Sequence, residues 1–265
     1  MKQLLILGGG YTGQAIYKIA TAQELAVRAT SRAPARHLSS LPSDHRIAFD
    51  LARPETWENV SPDIPIIWCF PAVPIEAVTA FAERCEAGSR KLIVLGSTSA
   101  YDPPSPSAGL AAAALVDERT PVNLQRPRVQ GEEYLRVQHG AIVLRVAGIY
   151  GPGRNVLKWI REGRVRPSPK YVNLIHVEDL AGICLAALER GVSGESYNVS
   201  DGTPRRWSEI CEQARKRWNI TIGGEKQDIN PGKRIAIAKL TGELGYRFTH
   251  PDLYDALEEI EGAEH

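Results

Sequence analysis

Cysteine is scarce in this sequence, and its spacing excludes two kinds of site. The chain has four cysteines in 265 residues, Cys69, Cys85, Cys184 and Cys211. No Cys-x-x-Cys pair is present, which argues against a zinc site and against a redox dithiol. We therefore expect buried thiols in a reducing cytosol, and no metal site.

An excess of charge and a long apolar run are also absent. The chain carries 32 basic and 31 acidic side chains, a formal net charge of +1. This balance gives no electrostatic reason to expect a nucleic acid or an anionic membrane as partner. No apolar run reaches the ~18 residues of a membrane span. The apolar part of MKQLLILGGG is too short for a signal peptide. We expect a cytoplasmic monomer or homodimer that binds a small molecule.

Short apolar runs alternate with segments of helical periodicity. Near-continuous apolar character is typical of parallel strands buried on both faces of a sheet. Strand–helix alternation with short loops predicts an α/β fold with a doubly wound parallel sheet, a Rossmann fold. The predicted strands are 4–8, 25–30, 46–50, 64–70, 91–97 and 141–148, and the helices between them are 12–22, 75–87 and 124–138.

A glycine-rich turn joins the first strand to the first helix. LLILGGGYTGQAI contains Gly8-x-Gly10-x-x-Gly13, with Tyr11 and Thr12 between the last two glycines. The first glycine permits a tight turn, the second lets a pyrophosphate approach the backbone, and the third lets the helix pack on the strand. Placed between a strand and a helix N-terminus, the motif predicts dinucleotide binding, against the alternative of a merely flexible loop.

The residues after the second strand indicate which dinucleotide binds. An NAD site has an acidic residue there for the ribose 2′-hydroxyl. This chain has Ser31 and Arg32, with Arg36 four residues later. A hydroxyl and two guanidinium groups suit a 2′-phosphate, so the sequence favours NADP, with NAD as the alternative. The arginines could also be solvated loop charges.

The pattern changes at GIYGPGRNV, beyond which loops lengthen and prolines cluster. Further helices are predicted at 177–191, 204–218 and 251–260. We expect a dinucleotide-binding domain over 1–148 and a small substrate-binding lobe over 149–265, with helix 177–191 packing on the first domain.

Five separated segments resemble the extended short-chain dehydrogenase/reductase family in order and composition. They are GSTSAYD (96–102), VDERTPV (116–122), VLRVAGIYGPGRN (143–155), NLIHVEDLAGICLAAL (173–188) and SYNVSDG (196–202). This family contains NAD-dependent epimerases and dehydratases that act largely on nucleotide sugars. The resemblance covers nearly the whole chain, and it implies a substrate bound by the C-terminal lobe.

The resemblance also implies roles for individual residues. Ser97 and Thr98 stand at the position of the family's catalytic Ser or Thr. Arg145 and His176 also match family positions, where a structural role is at least as good an interpretation. The resemblance implies that Asp50 contacts adenine, that Phe70, Pro71 and Ala72 border the cofactor, and that Arg154 and Arg234 lie near a substrate diphosphate.

The family's proton-transfer pair, a Tyr and a Lys four residues apart on one helix, is missing. Alignment of RVQGE with the family's Lys-x-x-Ala-Glu places Arg128 at the Lys position and Leu124 at the Tyr position. Leucine cannot transfer a proton, and Tyr134 lies ten residues, or ~15 Å, further along a helix. Arg128 keeps several hydrogen-bond donors for the nicotinamide ribose.

Two interpretations therefore stay open. The chain is an NADP-dependent oxidoreductase or epimerase/dehydratase-like enzyme with an atypical active site, in which Tyr101 or Tyr150 is a candidate proton donor. Alternatively, it is a non-catalytic NADP-binding sensor or scaffold. The missing pair supports the second interpretation, and the arginines Arg154 and Arg234 support the first.

Overall fold

The computed structural model describes residues 3–102, 113–224 and 230–264. Its strands, in chain order, are β1 (Gln3–Leu7), β2 (Ala26–Ser31), β3 (Arg46–Ala48), β4 (Ile66–Trp68), β5 (Leu92–Ser97), β6 (Leu115–Val116), β7 (Ile142–Val146), β8 (Gly148–Tyr150), β9 (Tyr171–Val172), β10 (Leu174–His176), β11 (Ser196–Val199), β12 (Arg205–Arg206) and β13 (Arg234–Ile235). Its helices are α1 (Tyr11–Ala22), α2 (Pro34–His37), α3 (Ile75–Arg84), α4 (Pro127–His139), α5 (Val156–Arg161), α6 (Val177–Arg190), α7 (Trp207–Trp218), α8 (Ala238–Glu243) and α9 (Leu253–Glu264).

Seven parallel strands form the central sheet, in the order β11-β7-β5-β4-β1-β2-β3. The order reverses beside β1, which pairs with both β2 and β4. In such a sheet a crevice opens at the carboxyl ends of the strands where the order reverses. The predicted doubly wound α/β fold is confirmed.

Both faces of the sheet are buried under helices. Leu4 and Ile6 point into the core cluster that contains residues of α1 and α6. Leu5 and Leu7 point into the opposite cluster, which contains residues of α3 and α4. Successive side chains of a strand face opposite sides, so β1 must be apolar throughout to serve both cores.

The six predicted strands are present, and a seventh was missed. β11 is four residues long, with two polar side chains among its four buried ones, so no apolar run marks it. It pairs with β7, so the central sheet includes a strand that lies beyond residue 148, the predicted end of the dinucleotide-binding domain. The division into two domains at residue 148 stays a prediction, although β11 belongs to the central sheet and α6 packs on one face of it.

A separate core fills the C-terminal part. Side chains of α5, α7 and α9 pack there around Tyr150 and Leu174. Within the described ranges, no helix is long and apolar enough to cross a membrane.

Candidate functional site

The glycine turn after β1 has the geometry that its spacing predicts. Gly8 has φ +96°, a conformation that favours glycine. Its N–H donates to the Thr30 hydroxyl at 2.9 Å, which ties the turn to the end of β2. A Cβ at Gly13 would lie 2.2 Å from the Gly8 carbonyl oxygen, so α1 can pack this closely only with glycine there. A Cβ at Gly10 would meet nothing within 4 Å, because it would point into open space.

The turn lies between two cavities that share Gly8 and Gly10. The first, which we call the β2-side cavity, has a volume of about 600 Å³. It is lined by residues at or after the carboxyl ends of β2, β3 and β4, including Ser31, Arg32, His37, Asp50 and Phe70. The second, the β5-side cavity, has a volume of about 300 Å³. Its lining includes Tyr11, Thr12, Gly13, Pro71, Ser97, Arg128 and Arg154.

Polar groups of the β2-side cavity have few partners within the protein. The Ser31 hydroxyl accepts from the Ala33 N–H at 3.2 Å and shares a hydrogen bond of 2.8 Å with His37 Nδ1. Arg32 is exposed, and among the described residues no carboxylate oxygen lies within 4.0 Å of its guanidinium. Asp50 Oδ1 accepts from the Ala52 N–H at 3.1 Å. Hydroxyl, guanidinium and imidazole groups together suit an anion.

Arg128 in the β5-side cavity is held by the protein. Its Nε donates to Glu132 Oε1 at 2.6 Å, and another guanidinium nitrogen donates to the Leu95 carbonyl at 2.7 Å. The Glu132 side chain is 2% exposed. Burial raises the pKa of this carboxyl, although the Arg128 charge opposes the rise. The pair fixes Arg128 beside β5.

Comparisons with known proteins bear on the fold of the chain. No family model matches the chain. Protein YeeZ of Escherichia coli strain K12 is 30% identical over 176 residues, and the match covers 61% of this chain and 59% of YeeZ. A conserved protein of unknown function from Silicibacter pomeroyi has a solved structure with TM-score 0.77 and 22% identity, covering 99% of both chains.

Two further solved structures carry NAD. The dTDP-glucose 4,6-dehydratase of Bacillus anthracis, in complex with NAD, matches with TM-score 0.77 and 16% identity over 100% of this chain and 98% of its own. A short-chain dehydrogenase/reductase superfamily protein of Agrobacterium tumefaciens with bound NAD matches with TM-score 0.77 and 12% identity over 99% and 97%. The chain has the short-chain dehydrogenase/reductase fold.

Within this fold, the helix expected at 124–138 begins later than predicted. Pro127 is the first residue of α4, and Arg126 before it has extended backbone angles, φ −85° and ψ 119°. A proline disfavours helical angles at the preceding residue and is well suited to a helix's first position. Leu124 therefore lies before the helix, exposed, and does not share a helical face with Arg128. The prediction that this helix includes Leu124 is wrong.

The candidate catalytic residues near β5 do not all reach the cavity. Ser97 lines the β5-side cavity, and its hydroxyl accepts from the Ser99 N–H at 3.1 Å. Thr98 is outside the lining, and its carbonyl accepts from Lys233 Nζ at 3.0 Å. Tyr101 is fully buried; it donates to Asn198 Oδ1 and accepts from Arg145, each at 2.8 Å. These contacts favour a structural role for Tyr101 over proton transfer.

Tyr150, the other candidate proton donor, is also fully buried and lines neither cavity. Its ring lies against the His176 ring, with centroids 5.2 Å apart. Burial raises the pKa of its phenol. This placement does not favour proton exchange with a ligand in either cavity.

The two arginines expected near a substrate diphosphate lie in different surroundings. Arg154 lines the β5-side cavity. Arg234 lies on β13, exposed, and its Nε donates to the Ala113 carbonyl at 3.1 Å. It lines neither of the two cavities. Arg36, on α2, is likewise exposed and outside the lining of the β2-side cavity.

The loop after β4 borders both cavities. Phe70 lines the β2-side cavity, and Pro71 lines the β5-side cavity. Ala72, which was also expected to border the cofactor, is buried and is in neither lining. A Cβ at Gly131 on α4 would lie 2.0 Å from the Ala72 carbonyl oxygen, so the helix backbone rests directly on this loop.

Sequence reasoning missed several residues of the site. His37 lines the β2-side cavity from the short helix α2, which begins at Pro34. It was missed because that helix was not predicted. Glu132 was treated only as part of a motif, although its i,i+4 spacing to Arg128 signals a pair on one helical face. Lys233 has no sequence signal, since a long stretch of chain separates it from Thr98.

His176, Glu178 and His250 form a cluster whose possible ligand atoms lie within 4.8 Å of one another. His176 Nδ1 already accepts from the Glu178 N–H at 3.3 Å, at the start of α6. His250 Nε2 lies 3.1 Å from Glu178 Oε2. Burial, and then the neighbouring His250, lower the pKa of His176 to about 4. We interpret His176 as a neutral cap of α6.

Proposed function

We propose that the chain binds NADP and acts as an oxidoreductase or an epimerase/dehydratase-like enzyme on a nucleotide sugar or a similar small substrate. The observation that carries this proposal is the pair of cavities that meet at Gly8 and Gly10. A dinucleotide has two nucleoside halves joined by a pyrophosphate, and its pyrophosphate binds at such a glycine turn. The β2-side cavity would hold the adenosine half, and the β5-side cavity the nicotinamide half.

The backbone at the junction fits a pyrophosphate. Gly10 precedes α1, and open space surrounds the position of its missing side chain. The first N–H groups of a helix have no partner within the helix, and its dipole is positive at this end. Phosphate oxygens can approach these groups because no Cβ stands in the way.

Preference for NADP rests on the residues at the end of β2. Ser31, Arg32 and His37 line one wall, and none of them is acidic. An acidic residue would bind the 2′-hydroxyl of NAD and repel the 2′-phosphate of NADP. Asp50 follows β3 and lines the same cavity, which supports the proposal that it contacts the adenine base.

Chemistry at the nicotinamide would depend on few protein groups. Bound nicotinamide supplies hydride exchange. Ser97 can donate its hydroxyl hydrogen to a substrate carbonyl, because among the residues that the structure describes its oxygen only accepts, from the Ser99 N–H. Arg128 has a fixed charge that orients the ribose, but it does not exchange a proton near neutral pH.

A specific observation favours the second candidate function, a non-catalytic NADP-binding protein. Of the residues that the structure describes, the β5-side lining contains one tyrosine, Tyr11, and no lysine. The Tyr11 hydroxyl donates to the Pro152 carbonyl at 3.0 Å, so its proton already has a partner. Such a cavity would bind the cofactor without a ready acid for turnover.

One set of measurements separates these functions. Fluorescence titration with NADPH and NADH should show binding of both, with NADPH tighter. NADPH oxidation is then followed with a UDP-4-keto-sugar. Turnover supports the enzyme, and tight binding without turnover across keto-sugar nucleotides supports the sensor. Absence of binding to either dinucleotide would overturn both.

A further inference from the structure

The turn that carries Arg154 is fastened to the first helix. Residues 151–154 form a tight turn, in which the Arg154 N–H donates to the Gly151 carbonyl at 2.9 Å. The Tyr11 hydroxyl donates to the Pro152 carbonyl at 3.0 Å. Tyr11 is the first residue of α1, directly after Gly10. The turn is therefore held against the glycine-rich segment, although 141 positions separate Tyr11 from Pro152.

The turn can lie this close to α1 only because residue 151 is a glycine. A Cβ at Gly151 would lie 2.8 Å from the Tyr11 hydroxyl oxygen and 2.8 Å from Val177 Cγ1. It would also lie 3.3 Å from His176 Nε2. Gly151 has φ +147°, which L side chains rarely adopt. Only glycine allows the turn to come this near to α1 and to the start of α6.

The Arg154 side chain lies over Tyr11, and its charge has no partner of opposite sign within residues 3–102, 113–224 and 230–264. Its guanidinium carbon is 5.2 Å from the centroid of the Tyr11 ring. Among the described residues, no carboxylate oxygen lies within 4.0 Å of it. Arg128, the other charged residue of the same lining, is neutralised by Glu132. Of the two charged side chains that the described part of the chain brings to this lining, Arg154, next to the glycine turn, is therefore the one without a counter-charge.

We propose that Arg154 binds the pyrophosphate of the dinucleotide, with Tyr11 as the residue that positions it. This inference rests on the proposed function and deepens it, because it assigns Arg154 to the cofactor rather than to a substrate diphosphate. The pyrophosphate would lie between the first turn of α1 and the guanidinium, which are joined through Tyr11. Arginine can donate two hydrogen bonds to one phosphate, and each is strengthened by the charge.

The test uses Arg154→Met, which keeps an extended side chain and removes the charge. Affinities for NADPH, NADH and adenosine 2′-monophosphate are measured by calorimetry. The pyrophosphate is common to both dinucleotides and absent from the monophosphate. We expect the dissociation constants of NADPH and NADH to rise together, by about 10- to 100-fold. Binding of adenosine 2′-monophosphate should not change. Arg154→Lys should recover part of the affinity for both dinucleotides.

Two controls separate this result from other causes. Arg164→Met removes an exposed arginine that lines neither cavity, and it should leave all three affinities unchanged. Arg32→Ala should weaken NADPH and the monophosphate but not NADH. Thermal melting shows that each variant is folded.

Unchanged dinucleotide affinities in folded Arg154→Met would overturn the assignment, as would a loss confined to NADPH. Weaker binding of a nucleotide sugar with unchanged cofactor affinity would restore the substrate role. Failure of the wild-type protein to bind either dinucleotide is a failure of the proposed function, and it is seen before any variant is made.

Discussion

The two cavities that meet at the glycine turn differ in how their polar side chains are used. In the β2-side cavity, Arg32 has no carboxylate near it within the described part of the chain, and Ser31 and His37 contact each other and the local backbone. In the β5-side cavity, Arg128 is fixed by Glu132 and by the Leu95 carbonyl. Groups with few internal partners are available to a ligand, whereas paired groups mainly hold the protein together. The difference explains why the sequence indicates a cofactor more clearly than a reaction.

The largest effect should come from Gly10→Val, which tests whether the two cavities form one site. The new side chain would enter open space, so it strains nothing in the protein but occupies the pyrophosphate position. We expect a loss of at least ~100-fold in NADPH and NADH affinity with an unchanged melting temperature. Gly13→Ala is the matched contrast. Its Cβ meets the Gly8 carbonyl, and it should lower the free energy of unfolding by about 1–3 kcal/mol. Full ligand stabilisation of Gly10→Val in a thermal melt would show that this turn is not the binding site.

Arg32→Ala tests the β2-side cavity alone. Loss of a charge-assisted hydrogen bond to the 2′-phosphate should weaken NADPH by about 1.5–3 kcal/mol and leave NADH unaffected. The two dissociation constants, measured by fluorescence titration at constant salt, give the result directly. If both cofactors weaken equally, Arg32 contacts something other than the 2′-phosphate.

His176→Asn tests whether the buried cap of α6 is a neutral histidine, through the pH dependence of stability. The pKa of buried His176 is lowered to about 4, from an ordinary value near 6.5. The unfolded chain thus binds a proton that the folded chain does not, and stability falls as the pH drops from 6.5 to 4. Asparagine can cap α6 through its oxygen but does not titrate.

Urea unfolding at pH 7 and pH 4.5 should therefore show a smaller decline in the variant, by ~2 kcal/mol. An equal decline in both proteins would mean that His176 is charged in the folded state. A variant that is destabilised equally at the two pH values would indicate loss of the cap instead.

Arg128→Ala tests the β5-side pair. It leaves a buried carboxylate at Glu132 without its cation, which should cost about 1–3 kcal/mol of stability at pH 8. Because burial already raises the pKa of Glu132, protonation at pH 5 should reduce this loss. Arg128→Lys keeps a cation and should behave close to wild type in stability and in cofactor affinity. A loss independent of pH would point to packing rather than to the pair.

Tyr134→Phe should have the smallest effect. Tyr134 lies on α4 near His139, with 3.3 Å between its hydroxyl oxygen and His139 Nε2, and it lines neither cavity. We expect NADPH affinity within about 0.5 kcal/mol of wild type. A large loss of affinity or turnover in a stable variant would mean that this helix is misaligned with the family.

Much of the fold follows from local patterns. The apolar strands and the glycine turn are contiguous in sequence, so periodicity and spacing identify them. β11 was missed because its burial depends on pairing with β7, and Ser196 and Asn198 interrupt its apolar pattern. The start of α4 was predicted too early because the helical pattern was extended across Pro127, which disfavours helical angles at Arg126 and is the first residue of the helix.

The site shows the same distinction between local and distant information. Ser31, Arg32 and the glycines follow from position relative to a strand. The pairing of Arg128 with the Leu95 carbonyl, and the stacking of Arg154 on Tyr11, join residues far apart in the chain. No spacing rule connects them, so their roles could not be read before the fold was known.

Contact between Gly131 and the Ala72 carbonyl sets a condition for engineering this protein. With a Cβ position only 2.0 Å from that oxygen, a turn of α4 that brought any other residue to the place of Gly131 would displace the loop that borders both cavities. A designer who wishes to add a proton donor cannot obtain it by turning the helix. The donor can instead be introduced at lining positions outside α4, such as Ser97, Val146 or Ile149, with the register of α4 treated as fixed.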